Sequence, residues 1–129
     1  MLGLLLVILM GGGAEESAVP KAFDTYWMVF LKKGEARDQN EEDGARIQRE
    51  HLAHLKSLFD EGKLLVAGPL EVDADYAIRG LVIYPGDMDQ ETVRKLAEAD
   101  PAVKAGRLKV EVIKWWMPKG VMKFEKTPY

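Results

Sequence analysis

The chain has 129 residues, a net charge of -3 and no cysteine. This length suits one domain with its own core but not two. Without an excess of positive charge, nucleic acid is not an expected partner. Without cysteine there is no disulfide, thiolate nucleophile or cysteine metal site. The two histidines are three positions apart, not the four that place two zinc ligands on one helix face. A metal enzyme is therefore not expected, although carboxylate sites for hard cations stay open. Nothing visible in the sequence requires a cofactor, so none is expected.

The amino terminus differs in composition from the rest of the chain. Residues 1–10, MLGLLLVILM, form an uncharged apolar run that is followed by three glycines and an alanine. A membrane span needs about 20 such residues, so no stable span is expected. The run matches the apolar part of a secretory signal peptide, although no Lys or Arg precedes it. We predict a signal peptide at residues 1–14 and a linker at residues 15–23. The protein would then be exported, to the periplasm or outside the cell. The mass of the mature protein would show whether the signal peptide is removed. If the run is instead a buried strand or a mis-assigned start, the protein is cytoplasmic.

The first half of the chain predicts a strand, a helix and a second strand. Residues 25–31, TYWMVFL, are apolar on both faces of a strand, so both faces must be covered. Asn40 is a suitable N-cap for a helix, and the acidic residues after it suit the positive end of the helix dipole. The helix is expected to end at Gly62, which favours a helix C-terminus. A short strand follows at residues 64–67, and Gly68-Pro69 closes it.

The second half predicts a strand at residues 79–84, a helix and a last strand at residues 108–116. Asp89 is the expected N-cap of the helix, whose body covers residues 92–99 and stops at Asp100-Pro101. The order β-α-β-β-α-β over residues 24–117 predicts an α+β, ferredoxin-like fold, with two helices on one face of an antiparallel four-stranded sheet. A partner subunit would cover the other face, which predicts a homodimer. Residues 118–129, rich in Lys and Pro, are an arm over the domain or its partner, or a loose end.

The first helix carries a histidine among aliphatic side chains. Its apolar stripe consists of Ile47, Leu52, Leu55, Leu58 and Phe59. At ~100° per residue, His51 lies about 40° from Leu55 and faces the sheet. His54 lies about 100° from Leu55, at the edge of the stripe or in solvent. An inward imidazole needs hydrogen-bond partners. His51 is therefore either a structural histidine, the more ordinary explanation of the stripe taken alone, or a general acid or base.

Asp100 also has two explanations. The residue before a proline is pushed out of the helical region, so Asp100-Pro101 ends a helix by local geometry alone. The second helix is expected to pack beside the first, so the carboxylate could also reach His51. Such a contact would fix the ring tautomer and prepare the imidazole as a general base. No spacing in the sequence proves the contact.

Further candidates for a small-molecule cavity are Tyr26, Gly68, Pro69 and Arg79, although strand positions of mixed burial give the same pattern. Trp115 and Trp116 should point to opposite faces of their strand, where core or interface packing explains them. No phosphate-binding glycine loop, nucleophile elbow or paired acid motif is present.

Three segments of the chain together resemble the YCII-related domain. They are HLAHLKSLFDEGKLLVAGP from His51, the glycine at position 80, and ADPAVKAGRLKVEVIKWW around Asp100. The resemblance covers about residues 25–116. It implies a ferredoxin-like fold of the dimeric α/β barrel group, in which two sheets pack face to face. It also implies a site centred on a histidine and an aspartate, which correspond by motif to His51 and Asp100. Some relatives act as lyases or dehydrochlorinases on ring compounds.

The expected function is a cofactor-independent lyase or isomerase for a small organic molecule. His51 would act as general acid or base, and Asp100 would orient it. The alternative is a non-catalytic module of the same fold that binds small molecules or serves assembly. A third interpretation is a stress-related envelope protein whose basic tail binds a partner. The sequence names no substrate.

Overall fold

The structure, a computed structural model, describes residues 19–125. Its elements are β1 (Phe23–Lys33), α1 (Glu41–Asp60), β2 (Val66–Pro69), β3 (Ile78–Pro85), α2 (Gln90–Glu98), α3 (Pro101–Lys104) and β4 (Leu108–Pro118). All strand pairs are antiparallel, in the order β2-β3-β1-β4. This topology confirms the predicted ferredoxin-like fold for one chain. The predicted signal peptide, residues 1–14, lies outside the described residues and stays a prediction.

The helices cover one face of the sheet, and the core lies between the helices and that face. Alternate residues of β1 point into this core, and Val29 at its centre is fully buried. Neighbouring strands and both long helices complete the core with Val82, Tyr84, Val112, Leu55, Leu58, Val93 and Ala97. The intervening β1 residues, Tyr26, Met28 and Phe30, are half-buried on the opposite face of the sheet. Among the elements of residues 19–125, therefore, helices cover one of the two apolar faces of β1 and leave the other open.

Local signals set the limits of α1 as predicted. The side chain of Asn40 accepts a hydrogen bond from the amide of Asp43 at 2.7 Å and so caps the first turn. At the other end Gly62 has a φ of +73°, a left-handed conformation that glycine adopts without steric cost. The helix therefore begins and ends where the sequence indicates, which fixes the direction in which its middle residues point.

The apolar stripe of α1 is rotated from its predicted position. Its buried residues are Ile47, His51, Leu55 and Leu58, whereas Leu52 is 51% exposed. At ~100° per residue, the centre of the observed stripe falls close to His51 itself rather than at Leu55. The placement of Leu52 in the core was wrong, since that position lies on the far side of Leu55 from the buried set. His51 thus lies in the middle of the helix face that meets the sheet.

The second strand is shifted by two residues from the prediction of 64–67. Leu64 is buried in the core but precedes the strand, and residues 66–69 pair with Ile83 to Gly80. Gly68 and Pro69 therefore belong to the strand rather than only closing it. Proline is tolerated there because β2 is the edge strand of the described sheet, in which it pairs with β3 alone.

The described part of the carboxy-terminal segment lies against its own domain. Lys119 forms an ion pair with Asp24 at 3.0 Å. The ring of Phe124 stands edge-on to Tyr26, with 5.5 Å between centroids. Tyr26 also lies 6.4 Å from Trp115 across the β1–β4 pair. Residues 119–125 thus follow the open face of the sheet at one end of β1. Within residues 19–125, no helix is long and apolar enough to cross a membrane.

Candidate functional site

A cavity of about 400 Å³ lies between α1 and the sheet. This volume is within the range of about 300–1,000 Å³ that is usual for small-molecule sites. Its apolar wall includes Leu31 of β1, Ile47 and Leu55 of α1, and Ala102 of α3. His51 lies in the same wall, so the central residue of the α1 stripe faces the cavity as well as the protein interior.

The imidazole of His51 is bonded to the carboxylate of Asp100. The Nδ1 of His51 and the Oδ2 of Asp100 are 2.6 Å apart. Both residues are buried, at 8% and 2% exposure. The ionised carboxylate only accepts hydrogen bonds, so Nδ1 is the protonated ring nitrogen and donates. The Nε2 atom has no hydrogen bond within residues 19–125, and it is the ring nitrogen left for a molecule in the cavity.

Both explanations of Asp100 are realised in one side chain. Its Oδ1 accepts a hydrogen bond from the amide of Ala102 at 2.8 Å, which caps α3. Its Oδ2 binds His51. Pro101 holds Asp100 in an extended conformation, with φ -59° and ψ 127°. The Asp-Pro pair therefore ends one helix, begins the next, and aims the second carboxylate oxygen at α1.

The second histidine has a structural environment that the sequence did not predict. His54 is half-buried, and its Nε2 donates to the carbonyl of Leu96 at 3.0 Å. That carbonyl belongs to the last turn of α2, where carbonyls lack partners within the helix. His54 therefore lies at the edge of the stripe, the first of its two predicted positions, where it contacts the end of α2. The two histidines together connect α1 to the end of α2 and the start of α3.

A tyrosine lies close to the buried pair. Tyr84 of β3 is 1% exposed. Burial raises the pKa of its hydroxyl far above the ordinary value, and the negative charge of Asp100 raises it further. Both effects favour the neutral phenol, and Tyr84 belongs to the core rather than to the proposed acid–base groups.

Three of the four cavity candidates lie in the cavity wall, and one does not. Gly68, Pro69 and Arg79 line the cavity. Tyr26 lies on the opposite face of the sheet against Trp115 and Phe124, so its placement in the cavity is corrected. The reason is the alternation of β1, in which Trp27, its neighbour, takes the helix-covered face.

An irregularity in the sheet directs Arg79 into the cavity. Leu31 pairs with Gly80 and Lys32 with Ile78, so Arg79 is left without a partner on β1. Such a bulge bends the strand and changes the direction of a side chain. The guanidinium is held by the carbonyls of Asp73 and Tyr76, each at 3.1 Å. No pattern in the sequence reveals the bulge.

Two further arginines at the cavity were missed by the sequence analysis. Arg37 comes from the loop after β1, and Arg107 directly precedes β4. Arg37 donates to the carbonyl of Arg107 at 2.6 Å, and Arg107 donates to the side chain of Gln39 at 2.8 Å. Burial lowers the pKa of Arg37, and the positive charges of Arg107 and Arg79 lower it further. Loop residues have no periodic signal, so only the folded chain brings these cations together.

The remaining chemistry of the described residues is limited. Between residues 19 and 125, no group of three or more His, Cys, Asp or Glu side chains is arranged to hold a metal ion. Trp115 and Trp116 point to opposite faces, as expected, and contact Tyr26 and Phe23 respectively.

The fold and the site define a class: a ferredoxin-like α+β domain in which a buried histidine–aspartate pair borders a small-molecule cavity. The sequence profile of the YCII-related domain matches residues 26–116, and the chain belongs to that family. The comparison with curated proteins gives no match. A similar solved structure is 5-chloro-2-hydroxyhydroquinone dehydrochlorinase from Burkholderia phenoliruptrix, in complex with 2,5-dihydroxybenzoquinone. The two sequences are 23% identical, the match covers 70% of this chain and 92% of that one, and the TM-score is 0.49.

Proposed function

We propose that this protein is a cofactor-independent lyase or isomerase that uses His51 to transfer a proton on a small organic molecule. The observation that supports it is the buried His51–Asp100 hydrogen bond of a histidine that lines a cavity and whose other ring nitrogen has no partner within residues 19–125. A general base needs a fixed tautomer and an unoccupied acceptor nitrogen within reach of the substrate. Asp100 supplies the first and the position of Nε2 supplies the second. Asp100 is thus a positioning residue, and His51 is the proposed catalytic one.

The proposed reaction begins at a carbon beside a carbonyl group. Nε2 of His51 takes the proton, and the electrons of the C–H bond form an enolate. In an isomerisation the imidazolium returns the proton to another carbon of the enolate. In an elimination the electron pair of the enolate instead expels a leaving group from the neighbouring carbon. Both routes use the same base, and neither needs an electron acceptor or a cofactor.

Hydrogen exchange tests the proposal before the product is known. Carbonyl and ring compounds incubated with the protein in D2O should lose the signal of the acidic C–H in proton NMR spectra. His51→Asn should reduce this exchange by about 10²-fold or more, since it removes the base. An asparagine amide can still donate to Asp100 from a position near that of Nδ1, so the variant should remain folded.

The matched control is His54→Gln, whose amide nitrogen can still donate to Leu96. It should exchange at the wild-type rate. Equal rates in wild type and His51→Asn would contradict a catalytic role for His51. Compounds that bind without any exchange would favour the alternative function, a non-catalytic module that binds small molecules.

We also propose that the protein is a homodimer formed through the open face of the sheet. This face carries Met28, Phe30 and Trp115, which are half-buried, and Ile113, which is 42% exposed. Apolar side chains grouped on one face of a sheet favour a partner. We expect light scattering to give twice the chain mass for wild type and the chain mass for Ile113→Glu. Tyr76→Glu, in the exposed loop between β2 and β3, is the control and should stay dimeric. A monomeric wild type would contradict the proposal.

A further inference from the structure

The cavity has an unbalanced electrostatic character. Three cations, Arg37, Arg79 and Arg107, lie in its wall, whereas none of its lining residues in the described part of the chain is acidic. The carboxylate of Asp100 lies behind the imidazole and is bonded to His51 and Ala102, not to a guanidinium. The electrostatic potential in a site with this lining is positive. A neutral ligand would not balance this charge, whereas an anion would.

The hydrogen bonds of the three arginines strengthen this conclusion. Each guanidinium is oriented by a neutral acceptor, either a backbone carbonyl or the amide of Gln39. Within residues 19–125 the ion pairs involve other cations, and none of the three arginines takes part in one. Burial and mutual repulsion lower the pKa of Arg37, although a guanidinium stays charged at neutral pH. Bringing three like charges together without a counterion is unfavourable, and a bound anion would reverse this cost.

The arginines reach the cavity from three separate segments of the chain. Arg37 lies in the loop after β1, Arg79 at the bulge of β3, and Arg107 just before β4. The first and third are tied together, because the carbonyl of Arg107 accepts from both Gly34 and Arg37. Apart from Gln48 and His51, the other side chains of the wall are apolar, among them Leu31, Ile47 and Leu55. The lining therefore combines a charged side with an apolar side, next to Nε2 of His51.

We propose that the cavity binds an organic anion, a small apolar molecule that carries a carboxylate or a similar planar oxyanion, whose charge is held by Arg37, Arg79 and Arg107. The planar guanidinium group matches such an oxyanion with paired hydrogen bonds. This inference rests on the proposed function, since it names the substrate class of the same site. The anion would lie with its apolar part against α1 and the sheet, within reach of His51.

Benzoate and benzamide form the test pair, because they share shape and differ in charge. With the full chain, benzoate should shift the amide NMR signals of Gly68 and Gly80 and should bind at least about 10-fold more tightly than benzamide. Added salt should weaken benzoate binding, since charge attraction is screened. Equal affinity for the two compounds, or no binding of either, overturns the inference. This comparison needs no variant.

Variants assign the charge to the arginines. Arg37→Gln and Arg79→Gln should each weaken benzoate binding by about 10-fold and leave benzamide unaffected. Arg37→Lys, which keeps the charge but not the planar group, should fall between wild type and Arg37→Gln. The control is Arg46→Gln on α1, because Arg46 is exposed and paired with Asp43 and Glu50. An equal loss in the control would overturn the assignment.

The fate of the anion site can be separated from that of the proton-transfer proposal. His51→Asn removes the proposed base but none of the three arginines. This variant should keep the preference for benzoate over benzamide while it loses hydrogen exchange. If exchange is absent in wild type but the preference is present, the proton transfer fails and the anion site stands. If exchange depends on His51 but benzoate has no advantage, the reverse holds.

Discussion

Replacing Asp100 by asparagine is expected to invert the tautomer of His51. The two oxygens of Asp100 accept from two different donors, the amide of Ala102 and Nδ1 of His51. An asparagine has one oxygen, and when this oxygen caps α3 its NH2 group faces the ring and donates to Nδ1. The proton then moves to Nε2, the ring nitrogen that has no partner in the described part of the chain. A base that must accept a proton at Nε2 is thereby converted to a donor, while the cap and the fold are kept.

The tautomer can be measured directly, because the chain has only two histidines. Long-range proton–nitrogen NMR correlations distinguish a ring protonated at Nδ1 from one protonated at Nε2. In wild type we expect His51 to be protonated at Nδ1 and His54 at Nε2. In Asp100→Asn both should be protonated at Nε2, and exchange of substrate hydrogen should fall by about 10²-fold or more.

Asp89→Asn is the matched control for that substitution. Asp89 caps α2 through the amide of Thr92 at 2.7 Å and contacts no histidine. Asp89→Asn therefore replaces a carboxylate by an amide at a helix N-cap, as Asp100→Asn does. It should leave both tautomers and the exchange rate unaltered. If His51 kept its Nδ1 proton in Asp100→Asn, the positioning role of Asp100 would be contradicted.

A large loss of stability is expected from Gly34→Ala. A Cβ at this position would overlap the carbonyl oxygen of Gly106, which is backbone and has no free rotation to avoid it. The two segments are also joined by hydrogen bonds from Gly34 to Arg107 and from Ala36 to Gly106, each at 2.9 Å. The loop that contains Gly34 and the turn that contains Gly106 would have to move apart. We expect the free energy of unfolding to fall by about 3 kcal/mol in urea denaturation.

The same substitution should also reach the cavity, since the displaced segments carry Arg37 and Arg107. Benzoate binding should weaken in Gly34→Ala under conditions in which the variant is folded. Gly44→Ala is the control, because a Cβ at Gly44 in α1 meets nothing within 4 Å. That variant should gain about 0.5–1 kcal/mol from the higher helix propensity of alanine. A loss of similar size at both glycines would show that the close approach at Gly34 is not the cause.

Much of the fold could be read from local patterns. The cap at Asn40, the glycine at position 62 and the alternation in β1 are decided by short-range sterics and hydrogen bonding. They therefore gave the order of elements and the inward direction of His51. The limits of β2 were wrong, because strand pairing with β3, not the local pattern, determines which residues join the sheet. The placement of Leu52 was wrong for a related reason, since the packing of α1 sets the centre of its buried face.

The features of the site also fall into two groups, those that local sequence predicts and those that tertiary packing decides. The sequence by itself determined that His51 faces inward and that Asp100 precedes a proline at a helix end, because both follow from local backbone geometry. Only the tertiary structure decided that the two side chains meet at 2.6 Å, since that distance depends on how α1 packs against α2 and α3. It also gathered Arg37, Arg79 and Arg107 around the cavity and placed Tyr26 on the other face. Loops and a bulge carry the three arginines, and the positions of these arginines are set by long-range pairing rather than by any repeating pattern along the chain.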